Sequence, residues 1–188
     1  MLRNLVAPLV TRLRRRWERV LHPWRRQATL ARLRRQRRPR GVLFVCLGNI
    51  CRSPYAAAAF RARLRPEVAT AIRVDSAGFI LPMRPVPRVA VEEAASRGLD
   101  LHDHRSRTLT AGVLENVDVV AVMEPQQVRA VAQLRRTTAT IIVLGDLDPI
   151  ADGGRMIIDP VNQPRAAFAA SYDSIDRCVA VLAEALAG

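Results

Sequence analysis

Lysine is absent from this chain: all thirty of its basic residues are arginine. That preference follows from genome composition readily enough and carries little functional weight by itself. Aromatic residues are scarce, at 4%, while 49% of the residues are apolar, a balance that suits an α/β protein rich in Ala, Val and Leu. No apolar run approaches the ~20 residues that a membrane-spanning helix needs. Residues 1–30 also lack the uninterrupted apolar stretch and cleavage site of a secretory signal. The three cysteines, Cys46, Cys51 and Cys178, make no obvious disulfide framework. Cys46 and Cys51 have no downstream Cys or His pair at zinc-site spacing, so no metal is expected. These absences point to a reducing, cytoplasmic location. At 188 residues the chain can bury one core, not two.

What is present in excess is positive charge, +13 overall. A nucleic-acid reading depends on where that charge sits. Residues 1–40 hold fourteen arginines and a single acid, Glu18, whereas residues 41–188 hold sixteen arginines and sixteen acids. The whole excess therefore belongs to an N-terminal extension, and a nucleic-acid partner is not expected.

Within that extension Leu2, Leu5, Val6, Leu9, Val10, Leu13, Trp17, Val20, Leu21 and Trp24 recur at helical spacing. Arg12, Arg14, Arg15, Arg16 and Arg19 fall mostly on the opposite side. The pattern predicts a basic amphipathic helix to about Pro23, resuming over 28–38. Its apolar stripe has two equally good destinations. One is an anionic membrane surface, for which the two Trp and the arginines are suited; the other is the protein's own domain or a second subunit.

After Pro39 the pattern changes to alternating strands and helices. Strands are expected at 41–45, 72–76, 117–123 and 140–144, and helices at 55–64, 89–97, 126–135 and 166–186. The implied fold is a single α/β domain over 41–188, with a four-stranded parallel sheet covered on both faces in three layers.

The chemistry lies directly after the first strand, in Cys46-Leu47-Gly48-Asn49-Ile50-Cys51-Arg52. A strand, a tight polar loop and a helix start form an anion cradle, because successive backbone N–H groups converge there. A thiolate at such a place is stabilised by the helix N-terminus and by a neighbouring guanidinium. Arg52 offers a planar fork for two phosphoryl oxygens. Gly48 lets the backbone approach the phosphate, Asn49 can lock the loop, and Ser53 can donate to the sulfur. Two Asp-Pro steps, Asp148-Pro149 and Asp159-Pro160, each offer a carboxylic acid able to protonate a leaving group.

The run Val45-Cys46-Leu47-Gly48-Asn49-Ile50-Cys51-Arg52-Ser53-Pro54 resembles the signature of the low-molecular-weight protein tyrosine phosphatases. The resemblance continues through Asp75-Ser76-Ala77-Gly78, Gly98-Leu99-Asp100, His104, Ser106, Arg107, Met123-Glu124 and Leu144-Gly145-Asp146. It implies phosphotyrosine hydrolysis without a cofactor. Cys46 would be the nucleophile, Arg52 the phosphate clamp, and residues 47–51 with Ser53 the phosphate-binding loop. Of the two Asp-Pro steps it selects Asp159 as general acid and base and makes Asp148 structural. It also implies a bacterial phosphoprotein partner, among them a membrane-associated tyrosine kinase, so that the extension would hold the enzyme at the inner face of the membrane. The chain departs from the family in Val161-Asn162-Gln163 and in Phe79 to Arg84, where members carry aromatic cleft walls; here the wall is expected to be aliphatic or supplied by Phe79 and Met83.

Alternative readings share the scaffold. Arsenate reductases of this type need two further cysteines, and only Cys178 remains. Protein-arginine phosphatases tend to carry Thr where Ile50 stands. A non-catalytic phosphate-binding module would be marked by loss of Cys46, Arg52 or the acid. Cys51, in the same loop as Cys46, could trap an oxidised nucleophile as a disulfide or serve only in packing. His102 and His104 are expected to be structural.

Overall fold

In the computed structural model the described residues are 3–36, 39–134, 138–150 and 154–187, with side chains described from Arg16 to Leu186. Strand β1 (Gly41–Cys46) is buried at all six positions. Such a strand reads as an unbroken apolar run rather than an alternating one because helices cover both faces of its sheet. β2 (Arg73–Gly78), β3 (Val119–Val122) and β4 (Thr140–Val143) complete a parallel sheet in the order β2-β1-β3-β4.

Alternate residues feed two cores. Val42, Phe44, Val119, Ala121 and Ile142 face α2 (Arg52–Arg63) and α6 (Arg165–Ala187), where Tyr55, Phe60, Tyr172 and Ile175 are fully buried. Leu43, Val45, Val120, Val122 and Val143 face the other way, toward Val131 of α5 (Pro125–Leu134) and toward Leu114 in the turn before β3. This is the three-layer domain expected of the sequence. α4 (Arg88–Ala95) packs beside α6, and Tyr55 stacks on Tyr172 at 3.6 Å between α2 and α6.

Several boundaries differ from expectation. α2 begins at Arg52 rather than Tyr55, so the motif's arginine is itself the first helical residue. β2 runs to Gly78 and β3 is confined to Val119–Val122. A short α3 (Pro66–Ala71), opened by a proline at its first position, and a 3-10 turn at Leu144–Leu147 were not anticipated.

The larger correction concerns the extension. α1 is one helix, Arg3–Arg34, continuing through Pro23. Proline inside a helix removes a hydrogen bond and costs about 3 kcal/mol, but docking on either side of Pro23 offsets that loss. His22 Nε2 lies 2.7 Å from the Asp148 carbonyl, to which it must donate, and Thr29 and Leu33 are buried farther along. Leu33, at 0% exposure, belongs to the main core. Arg32 donates to the Ile141 carbonyl at 2.9 Å and Gln36 to Thr140 Oγ1 at 3.0 Å. These bonds cover part of the edge strand β4, whose carbonyls would otherwise face solvent.

Among the described side chains, the face that docks is not the apolar stripe. Trp17, Val20, Leu21 and Trp24 are 64%, 57%, 41% and 77% exposed. The stripe residues Leu5 to Leu13 and the arginines Arg12, Arg14 and Arg15 lie outside the described side chains, and Leu2 outside the described residues. Among the described residues no helix is long and apolar enough to cross a membrane.

If the second half of α1 is part of the domain, Leu33→Ala should lower unfolding free energy by about 2–5 kcal/mol. Trp24→Ala should change it by less than about 0.5 kcal/mol. Urea denaturation followed by circular dichroism measures both; equal and small effects would show that α1 does not dock.

Candidate active site

Parallel strands end together, and the residues beyond their carboxyl ends converge. β1 delivers Cys46 there, in register with Gly78 of β2. The loop from Leu47 to Cys51 then curls over the end of β2. Phe79 N–H donates to the Leu47 carbonyl at 2.8 Å. A Cβ on Gly78 would lie 2.8 Å from both Asn49 N and Leu47 O, so this close approach requires glycine at 78. At Gly48 a Cβ would meet only ordinary contacts with Ile50 and Arg84.

Asn49 holds the curl. It is fully buried with φ of 50°, a left-handed conformation that Asn tolerates better than most residues. Its Nδ2 donates to Ser53 Oγ and Ser76 Oγ, each at 2.9 Å, and its Oδ1 accepts from Arg107 N at 2.8 Å. Its carbonyl lies 2.9 Å from His104 Nε2, which must therefore carry the proton. Burial lowers the His104 pKa, with the nearby Arg107, Arg105 and Arg61 adding to it and the bond to the Asn49 carbonyl opposing it. His104 thus supports the loop, while His102 sits exposed beside Asp103.

The same network serves the sulfur. Asn49 N–H donates to Cys46 Sγ at 3.2 Å, and Ser53 Oγ stands 3.1 Å from it. Because Asn49 Nδ2 donates to Ser53 Oγ, the hydroxyl proton is free to turn toward the sulfur or toward the more distant Ala77 carbonyl at 3.4 Å. Cys51 lies buried in the same loop; burial, then the charges of Cys46 and Asp159, push its thiol up to about 12. All three cysteines are free, and Cys178 is fully buried in α6, its thiol also pushed up by burial.

Arg52 is the most completely buried charge of the site, at 1% exposure. Its Nη1 donates to Glu124 Oε1 at 2.8 Å and to the Ile157 carbonyl at 3.0 Å, while Nη2 pairs with Asp159 Oδ2. Glu124 is in turn oriented by Gln127. The Gln127 Oε1 accepts from Met123 N and Glu124 N, and its Nε2 donates to Glu124 Oε1 at 3.3 Å. Ile157 N–H donates to the Met123 carbonyl at 3.0 Å, docking the loop that carries Asp159 onto the end of β3. Glu124 and Gln127 were not singled out from sequence as site residues. The available signal was their position just past the carboxyl end of a central strand.

Cys46, Leu47, Gly48, Ile50, Cys51, Arg52 and Asp159 line one cavity of about 80 Å³, together with Ile80, Arg84 and Val161. Asn49 and Ser53 stand behind it. The wall is aliphatic, from Ile80 and Val161. Phe79 instead packs into the second core and Met83 is exposed, so neither supplies an aromatic wall.

Asp148 is elsewhere. Its carboxylate accepts from Arg177 at 2.8 and 2.7 Å, from Ser174 Oγ at 3.0 Å and from Ile150 N at 3.0 Å. Burial alone would raise its pKa, but the Arg177, Ile150 and Ser174 hydrogen bonds outweigh that and hold it below the ordinary carboxylate range. Among the described residues no three His, Cys, Asp or Glu side chains gather as a metal site.

A family model described as low molecular weight phosphotyrosine protein phosphatase matches residues 41–188. The chain is 32% identical over 140 residues to a probable low molecular weight protein-tyrosine-phosphatase, EpsP, of Ralstonia nicotianae, covering 73% of this chain and 90% of that protein. The tyrosine phosphatase AmsI of Erwinia amylovora superposes with a TM-score of 0.69 at 26% identity, over 79% of this chain and 94% of its own. The YwlE arginine phosphatase of Geobacillus stearothermophilus superposes with a TM-score of 0.67 at 27% identity, over 78% and 92%.

The lowered Asp148 pKa makes a pH prediction. A carboxyl with a depressed folded value stabilises the protein above its unfolded value, near pH 4. That stability is lost as pH falls through the folded value. Asp148→Asn should therefore lower stability by about 1–3 kcal/mol at pH 7, with the deficit shrinking below pH ~4, while turnover of p-nitrophenyl phosphate is retained. Denaturation at both pH values and a rate assay check this; loss of turnover in a folded variant would make Asp148 part of the chemistry.

Proposed function

The chain belongs to the low molecular weight phosphotyrosine protein phosphatase family, and we propose on that premise that Cys46, Arg52 and Asp159 carry its hydrolysis of phosphotyrosine. The observation that supports these roles is that a buried guanidinium, a loop wound around one sulfur and a carboxylic acid share a single small cavity. The domain that performs the reaction is 41–188, with residues 1–40 as its extension.

The phosphoryl group enters the cradle of loop amides. Cys46 Sγ, as thiolate, attacks phosphorus while the phosphorus–oxygen bond to the tyrosine breaks. Arg52 and the amides hold the charge on the transferring phosphoryl oxygens. Asp159 gives its proton to the departing phenolate oxygen. Water then attacks the phosphocysteine, losing its proton to Asp159, and the Cys46 thiolate leaves with Ser53 donating to it. Inorganic phosphate departs.

Arg52 Nη2 is held by Asp159 before substrate arrives. The incoming phosphoryl group takes over that position, freeing Asp159 to face the phenolic oxygen. Glu124 and the Ile157 carbonyl keep the other end of the guanidinium in place during the exchange. Ile50 and the aliphatic wall favour an aryl group over a charged guanidino group, which supports phosphotyrosine over phosphoarginine.

The extension supports a cytoplasmic enzyme held at an anionic membrane surface. Trp17, Val20, Leu21 and Trp24 recur at spacings of three, four and seven and point away from the domain, beside exposed Arg16 and Arg19. An apolar stripe bordered by arginines suits the lipid headgroup boundary. A membrane-associated tyrosine kinase is the class of substrate that such an arm would bring within reach.

Purified protein should hydrolyse p-nitrophenyl phosphate and phosphotyrosine peptides, and Cys46→Ser should abolish both. Asp159→Asn should lower kcat by about 10²–10⁴-fold. Inactive wild-type protein, or faster hydrolysis of phosphoarginine, would overturn the reading. The arm is tested by co-sedimentation with phosphatidylserine-containing liposomes: Trp17→Ala with Trp24→Ala should weaken binding and added salt should weaken it further. Binding indifferent to both changes would exclude a membrane role for this stripe.

A further inference from the structure

The catalytic cavity holds a second arginine that the reaction does not use. Its charged lining groups are Arg52, Asp159 and Arg84. Arg52 has two carboxylate partners, Glu124 and Asp159. The guanidinium of Arg84 has no carboxylate partner among the described residues, although arginines elsewhere in the domain, such as Arg97, Arg107, Arg155 and Arg177, are paired. Arg84 Nη1 would lie 3.6 Å from a Cβ on Gly48, which places it beside the phosphate loop, yet its side chain is half-buried rather than sealed like that of Arg52.

Its backbone is firmly placed. Met83, with φ of 63°, turns the chain between Pro82 and Pro85. Met83 N donates to Ser106 O at 2.7 Å, Arg84 N to Ser106 Oγ at 2.9 Å, and Ser106 N to Arg84 O at 2.9 Å. Ser106 Oγ donates in turn to the Leu81 carbonyl at 2.9 Å. A non-glycine residue in the left-handed region costs free energy that the surroundings must offset. Here four hydrogen bonds to one serine hold a turn whose product is an arginine at the cavity mouth.

The cavity, at about 80 Å³, is far smaller than the ~300–1,000 Å³ of ordinary ligand pockets. It accommodates the phosphoryl group, leaving the tyrosine ring against the aliphatic rim and the flanking peptide residues outside, over the rim to which Arg84 belongs.

We propose that Arg84 forms a second anion subsite, which binds an acidic side chain close in sequence to the phosphotyrosine. This rests on the phosphatase reading above and adds to it a substrate class: phosphotyrosine in an acidic setting. A neighbouring phosphotyrosine offers the same anionic oxygens, and a carboxylate is the occupant proposed. The half-exposed position limits the effect to that of a surface ion pair, about three- to fivefold in selectivity at low salt.

The test compares phosphotyrosine peptides of one sequence with Glu or Gln scanned through the two positions on either side, plus a doubly phosphorylated peptide. Rates are read as kcat/KM with the wild-type protein, and affinities with Cys46→Ser, which binds without turnover. Wild type should favour a Glu peptide over its Gln partner by about three- to fivefold, less at higher salt. Arg84→Met should bring that ratio to about one and Arg84→Glu should invert it. A ratio near one in wild type, or a preference unchanged in both variants, overturns the subsite. Selectivity confined to the doubly phosphorylated peptide replaces the carboxylate by a phosphoryl group and overturns the proposal as stated. Binding selectivity without hydrolysis would instead overturn the catalytic reading and leave the subsite standing.

Discussion

A single buried guanidinium ties together the parts of this molecule that must act as one. Arg52 opens α2, yet its partners come from the end of β3 (Glu124) and from the loop before α6 (Ile157 and Asp159). Taking a charge out of water costs several kcal/mol unless it is paired and hydrogen-bonded. The burial of Arg52 therefore requires those segments to arrive together. The same constraint pairs the proposed general acid, Asp159, with the proposed phosphate clamp.

Around that charge the architecture divides labour between rigid and strained parts. The parallel sheet brings Cys46 and Gly78 side by side, and the missing side chain of Gly78 leaves room for the loop. Asn49 then satisfies the turned backbone through Ser53, Ser76, Arg107 and His104. Those residues come from three places in the chain, α2, β2 and the loop holding both His104 and Arg107. Each is too weakly bonded alone to fix a left-handed residue, and together they leave it little alternative. Strain at Met83 is held in the same way by Ser106.

The N-terminal arm shows a different compromise. Its second half is anchored by Leu33, Thr29 and His22, while two tryptophans on the outward face remain wet. The second half of the arm is thus packed on the domain and still presents an apolar and basic surface. The Glu18 carboxylate lies 3.3 Å from Arg155 N, four residues before the proposed acid, so the arm and the catalytic loop share a contact.

Much of this was legible beforehand. The apolar run at 41–45 specifies a buried strand and 140–144 a further strand, and Cys46 to Arg52 between strand and helix specifies a candidate anion cradle, because these depend on local pattern and backbone geometry. The choice of Asp159 over Asp148 came by resemblance. The structure sets the two apart: Asp148 is engaged by Arg177 and Ser174, while Asp159 lines the cavity. Other features had no local signature. That α1 continues through Pro23 depends on docking contacts more than a hundred residues away. That Phe79 packs against the second core, leaving Ile80 and Val161 as the wall, depends on contacts between segments distant in sequence. That Glu124 orients Arg52, and that Arg84 at the mouth has no carboxylate partner among the described residues, depends on loops meeting from separate parts of the chain. Sequence by itself determined the candidate nucleophile and cradle, since these lie within seven consecutive residues. Only the tertiary structure decided what surrounds them, because burial and charge pairing are settled between residues the chain does not place together.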